Sequence, residues 1–137
     1  MGSLFVLDDD SVFHRIIELS LSKSRPFKSI YHHYDGKALI NYIWANRNDK
    51  ANLPDVIFVD IKMPVLDGWG FMDTLQKIIP ELCKKITIYV VTVSVIKDDM
   101  IRAATYPFVE EFISKPVTPS KLVAIAEKMN VSLRAHL

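Results

Sequence analysis

The sequence predicts an α/β sandwich on a parallel sheet, from three observations. Short apolar runs alternate with helix-spaced apolar patterns five times along the chain. The inner runs, Leu4 to Leu7, Val56 to Val59 and Ile86 to Val91, are apolar without alternation, as strands buried on both faces are. Each run stops on residues with chemistry to offer, and open parallel sheets gather ligands beyond their strands' carboxyl ends. Crossovers are then right-handed.

Taken in order, Leu4-Phe5-Val6-Leu7 ends in Asp8-Asp9-Asp10, a buried strand with acids at its carboxyl end. Ser11 is expected to cap the next helix, whose stripe is Val12, Ile16 and Leu19, with Phe13 and Ile17 alongside. Pro26 closes the connection. Phe27 to Tyr34 is strand-like but carries Lys28, His32 and His33, which places it at a sheet edge. Asp35-Gly36 turns into a helix through Leu39, Ile43 and Trp44, and Asn46 to Asn52 is a polar loop. Pro54 precedes the central strand, which ends at Asp60. Pro64, Asp67 and Gly68 supply turn chemistry before a helix marked by Phe71, Leu75, Ile78 and Leu82, ended or kinked by Pro80. Ile86 to Val91 leads to Thr92-Val93-Ser94, and Lys97-Asp98-Asp99 opens a short helix running to about Tyr106. Val109 to Ile113 is a half-polar edge strand ending at Ser114-Lys115-Pro116. Thr118 begins a closing helix with Leu122, Ile125, Ala126 and Met129 on one stripe.

The 137 residues suffice for one domain with a real core. A net charge of +1 offers no footprint for nucleic acid and no basic run for a membrane surface. Cys83 is the sole cysteine, so an internal disulfide and a cysteine-based zinc site are excluded, which fits a reducing cytosol; it is expected as a small apolar filler. No apolar stretch has the length of a membrane span, and Met1-Gly2-Ser3 runs straight into a strand, so no signal peptide is expected.

The strand ends together present Asp8 and Asp9, then Asp60, Thr92 and Lys115. Carboxylates brought into one crevice repel, and they must shift pKa or share a cation. An all-oxygen site favours a hard divalent ion such as Mg²⁺. A hydroxyl and an ammonium facing the acids are what a transferred phosphoryl group needs. His32 and His33, adjacent on a strand, face opposite sides and do not grip one metal; His14 is expected on the surface, and Asp10 in a capping or solvated role.

Leu4 to Asp9, the Asp-x-x-Met-Pro-x-x-Asp-Gly spelled from Asp60 to Gly68, Thr92, and Lys115-Pro116 resemble the receiver domain of two-component response regulators. The resemblance implies a doubly wound (βα)₅, flavodoxin-like three-layer sandwich of strand order 2-1-3-4-5, a single receiver domain over 1–137 with its core at about 3–130. It implies that Asp60 takes a phosphoryl group from a histidine-kinase phosphohistidine, or from a histidine phosphotransfer protein. Asp8, Asp9, Asp60 and the backbone carbonyl of Lys62 would hold Mg²⁺. Thr92, Lys115 and the backbone N–H of Val93 would bind phosphate oxygens, Phe112 would be the aromatic switch, and Lys115-Pro116 would be cis. A downstream target or a second copy would dock on the face from Asp98 to Met129. A signalling role in the cytoplasm follows, rather than an enzyme's.

Two positions depart from the family's commonest pattern: Val93, where Ala, Gly or Ser is usual, and Lys62, at a position that influences phosphoryl lifetime. Asn130 to Leu137 is too short for an output domain, so a stand-alone or excised receiver is expected. Three alternatives compete. Asp8-x-Asp10-x-Val12 resembles the nucleophile motif of haloacid-dehalogenase-type phosphatases, with Asp8 as nucleophile and Asp10 as general acid; past Lys115, however, Glu127 is the single acid. A degenerate, phosphorylation-independent receiver would lack one of the site residues, all of which are kept. A nucleotide-binding fold is opposed by Gly68-Trp69-Gly70, which lacks a third glycine.

Overall fold

Apolar runs that must bury both faces are satisfied only inside a sheet covered on both sides by helices. The computed structural model describes residues 2–135, with side chains described as far as Asn130. Strand β1 (Ser3–Leu7) leads into helix α1 (Ser11–Leu21), β2 (Ser29–His33) into α2 (Gly36–Ala45), and β3 (Val56–Val59) into α3 (Gly68–Ile78). After a 3₁₀ turn at Ile79–Glu81, which holds Pro80, β4 (Thr87–Thr92) leads into α4 (Lys97–Ala104) and β5 (Val109–Ser114) into α5 (Pro119–Ala135). The strands pair in parallel in the order β2-β1-β3-β4-β5, which is the expected fold.

Side chains alternate across the strands into two cores. Phe5, Leu7, Ile57, Val59, Ile88 and Val90 pack against Leu39, Ile43, Phe71, Leu75 and Ala103 of α2, α3 and α4. Leu4, Val6, Phe58, Tyr89 and Val91 pack against Phe13, Ile17, Leu122, Ile125 and Met129 of α1 and α5. The edge strand β5 carries Glu110 and Glu111, paired with Lys128 at 3.2 Å and Lys121 at 3.0 Å, and charge on an edge discourages further pairing.

Several local expectations are corrected. Asp10, not Ser11, caps α1, its carboxylate accepting from the Val12 N–H at 2.9 Å. The helix then turns Phe13, His14, Ile17 and Leu21 inward, and Val12 and Leu19 are left 62% and 65% exposed. Two apolar sets with helical spacing share α1, and the one containing the ring of Phe13 faces the sheet. His14 is therefore buried rather than on the surface. Cys83 is exposed, so it fills no core. Helix α5 runs to Ala135, through most of the stretch expected as a tail; residues 136 and 137 lie outside the described residues.

Candidate functional site

Register carries the acids to one place. Leu7 is paired with Val59 and Val59 with Val90, so Asp8 and Asp60 emerge side by side at the carboxyl edge. The Asp60 N–H extends the ladder to the Leu7 carbonyl at 3.0 Å, and the Lys115 N–H extends it to the Thr92 carbonyl at 2.7 Å.

Asp8 and Asp60 are buried while Asp9 is exposed, and the three offer carboxylate oxygens all within 4.8 Å of one another. Burial raises the Asp8 carboxyl above its ordinary range, opposed by hydrogen bonds from Lys115 and the Asp10 N–H, with the Asp60 charge adding to the rise. The Lys115 ammonium lies 2.6 Å from Asp8 Oδ2 and 3.7 Å from Asp60 Oδ2. Its other neighbour is the Phe13 ring, 4.4 Å to the centroid, a cation–π contact that the sequence did not announce. Asp60 Oδ1 accepts from the Lys62 N–H at 3.1 Å, and the Lys62 side chain is exposed.

Thr92 is fully buried, and its hydroxyl has no hydrogen-bond partner among the described residues. Leaving such a group unpaired costs about 1–3 kcal/mol, so an acceptor brought to it gains correspondingly. Phe112 is half-buried against the α3 and α4 side. Val93 is 59% exposed and lies outside β4. It lines a groove of about 290 Å³ with Asp10, Phe13, Ile16, Lys115, Pro116 and Val117. The Lys115–Pro116 peptide is cis. Asp10, which the phosphatase alternative needs as an acid, caps α1 and stands outside the acid cluster.

The turn after β3 holds one strained residue. Val65 has φ 66° and is fully exposed, so a β-branched side chain sits in left-handed backbone with no packing in return. Val65→Asn should raise stability by about 1 kcal/mol, read as a denaturant midpoint.

All-oxygen donors with three carboxylates suit a hard divalent ion such as Mg²⁺. No helix among the described residues is long and apolar enough to cross a membrane.

A family model described as the response regulator receiver domain matches residues 4–127. Among curated proteins, the chain is 26% identical over 95 residues to a probable methanogenesis regulatory protein, FilR2, of Methanothrix harundinacea. That match covers 69% of this chain and 59% of the relative. Among solved structures, a two-component response regulator from Cytophaga hutchinsonii superposes with a TM-score of 0.80 at 23% identity, covering 93% of this chain and 95% of the other. A response regulator receiver domain protein from Clostridium thermocellum gives 0.76 at 20% identity, over 100% of both chains. The chemotaxis response regulator CheY4 of Vibrio cholerae gives 0.73 at 17%, over 94% and 98%. These structural likenesses speak to the fold.

Proposed function

This chain belongs to the response regulator receiver domain family, and on that premise we propose that Asp60 is its phosphoryl acceptor and a phosphohistidine its donor. Members of the family are signalling domains of two-component systems, phosphorylated on aspartate with Mg²⁺. In the proposed step an Asp60 carboxylate oxygen forms a bond to phosphorus as the bond from phosphorus to the donor imidazole nitrogen breaks. The electron pair leaves with that nitrogen, which takes a proton from solvent. Asp8, Asp9, Asp60 and the Lys62 carbonyl would hold the ion. When bound, Mg²⁺ neutralises charge on the carboxylates and the phosphoryl oxygens. Lys115 offers a fixed ammonium and the Val93 N–H a donor to those oxygens.

The observation that carries the reading is the Lys115 ammonium in reach of both Asp8 and Asp60, at 2.6 and 3.7 Å. The Thr92 hydroxyl donates to the phosphoryl group, and the space it vacates admits the half-buried Phe112 ring, turning a hydrogen bond into a surface change. The exposed apolar residues Met100 and Ile101 suit the Asp98–Met129 face to a downstream protein or a second copy. The groove beside Val93, with exposed Val12 and Ile16, suits the docking of a kinase or phosphotransfer domain. The whole chain is read as one cytoplasmic receiver that contacts neither nucleic acid nor membrane directly. Thr92→Ala should accept phosphate about tenfold more slowly and lose phosphorylation-dependent association; association like wild type contradicts the switch.

Val93 tunes the lifetime. A β-branched side chain is stiff at χ1 and stands where water must approach the acyl phosphate in line. Val93→Ala should lose phosphate about tenfold faster, roughly 1.4 kcal/mol of barrier, and gain it faster from acetyl phosphate. Because Val93 is exposed, the truncation should leave stability unchanged, and unaltered rates would remove it from the site.

The functional reading is tested by beryllofluoride with Mg²⁺, observed through Trp69. This ring stacks on Tyr106 at 6.2 Å under the Arg102 guanidinium at 4.5 Å, so it couples α3 to α4. A saturable emission change that chelator removes is expected, and Trp69→Phe should abolish it. A wild-type protein without any response contradicts the reading.

A further inference from the structure

Burying an imidazole requires partners for its nitrogens. His14 is 3% exposed; its Nε2 lies 2.7 Å from the Asp8 carbonyl oxygen and its Nδ1 lies 2.6 Å from His32 Nδ1. His32 Nε2 lies 2.6 Å from Glu18 Oε1. A chain of hydrogen bonds thus runs from an exposed carboxylate on α1, through β2, to the backbone of the acid pair.

Donor and acceptor roles follow from its ends. A carbonyl only accepts, so His14 Nε2 carries a proton. Between the two Nδ1 atoms, 2.6 Å apart, one ring donates and the other accepts. Glu18 as carboxylate only accepts, so His32 donates to it from Nε2. The chain thus carries a donor at each end, His32 Nε2 facing outward to Glu18 and His14 Nε2 facing inward to the Asp8 carbonyl. The two His32 nitrogens face opposite ways, one to His14 and one to Glu18, so these side chains do not converge on a common ion.

The inner end explains the chain. The Asp8 N–H donates to the His33 carbonyl at 3.1 Å, and β2 stops there, so the ring of His14 supplies the donor for the Asp8 carbonyl. That carbonyl shares its peptide plane with the Asp9 N–H. Asp8 Oδ1 is separately tied to the Asp10 N–H at 2.8 Å. Asp9 is exposed, so its aim toward Asp8 and Asp60 depends on the backbone that carries it.

We propose that His14, His32 and Glu18 are positioning residues of the cation site, a hydrogen-bonded chain that locks the Asp8–Asp9 peptide plane and so aims both carboxylates. This rests on reading Asp8, Asp9 and Asp60 as the cation's ligands. Groups that orient ligands from behind typically change metal affinity by about 10- to 100-fold when removed.

The test titrates Mg²⁺ into the unphosphorylated full chain, by calorimetry and by Trp69 emission, beside thermal melts. His14→Leu fills the space without a donor and should weaken Mg²⁺ binding about tenfold. His14→Gln, whose amide nitrogen can donate to the Asp8 carbonyl, should restore it to within about twofold of wild type. Glu18→Ala, at the exposed end where folding is not at stake, should weaken it about threefold. A folded His14→Leu binding Mg²⁺ like wild type overturns the proposal, as does a His14→Gln as weak as His14→Leu. Should His14→Leu not fold, Glu18→Ala with unchanged affinity overturns it alone. A wild type without any saturable Mg²⁺ response that Asp9→Ala abolishes brings down the cation-site reading, and this one with it.

Discussion

Asp60→Asn should take up no phosphoryl group from acetyl phosphate or from a phosphohistidine donor, a loss of at least about a thousandfold. The amide keeps the shape and its oxygen can still accept the Lys62 N–H, so the pocket is preserved while the nucleophilic carboxylate is gone. The variant should be no less stable than wild type. The Asp60 charge raises the pKa of buried Asp8, and removing one of two neighbouring buried negative charges relieves repulsion. Intact-protein mass and a thermal melt read both halves. Phosphate uptake together with unchanged stability would mean that another residue is the acceptor.

Gly68→Ala should damage fold and site together. A Cβ there would stand 2.6 Å from the Cα of Ile61 and closer still to the Asp60 carbonyl oxygen. Both are backbone atoms, so no rotamer change relieves the overlap, and the Gly68 N–H to Ile61 carbonyl bond of 3.2 Å ties the same two segments. The cost should be about 3 kcal/mol, at the upper end for overpacking. Asp60 is the residue displaced, so phosphorylation of the surviving folded protein should fall by about tenfold or more. Gly70 supplies the contrast. A Cβ there meets chiefly the end of the Leu66 side chain, which can turn aside, so Gly70→Ala should cost far less.

The strands and their ends were legible because a sheet buried on both faces imposes an apolar run, and the residue leaving it must be polar. The helix–sheet register was less so. Helix α1 carries apolar residues at 12, 16 and 19 and again at 13, 17 and 21, and spacing alone does not choose between them. That ambiguity hid the burial of His14, and with it the chain to His32 and Glu18. The acid cluster was read from strand ends, whereas the Phe13 ring against Lys115 was not: it depends on which α1 face turns inward. Cys83 was misplaced because composition does not decide the short segment after the 3₁₀ turn: Leu82 and Cys83 are followed by Lys84 and Lys85, and the thiol lies at the surface. The partnerless Thr92 hydroxyl is invisible in sequence, since only packing reveals what a buried group lacks.

The central claim, that Asp60 is the acceptor in a Mg²⁺-dependent reaction, is tested most directly on the wild-type chain. After incubation with Mg²⁺ and acetyl phosphate, the acyl phosphate is reduced with borohydride, and the modified residue is located by peptide mass spectrometry. One modified position, Asp60, is predicted, and excess chelator should abolish it. Modification at Asp8 or at a histidine, or modification of Asp60 undiminished by chelator, would contradict the account.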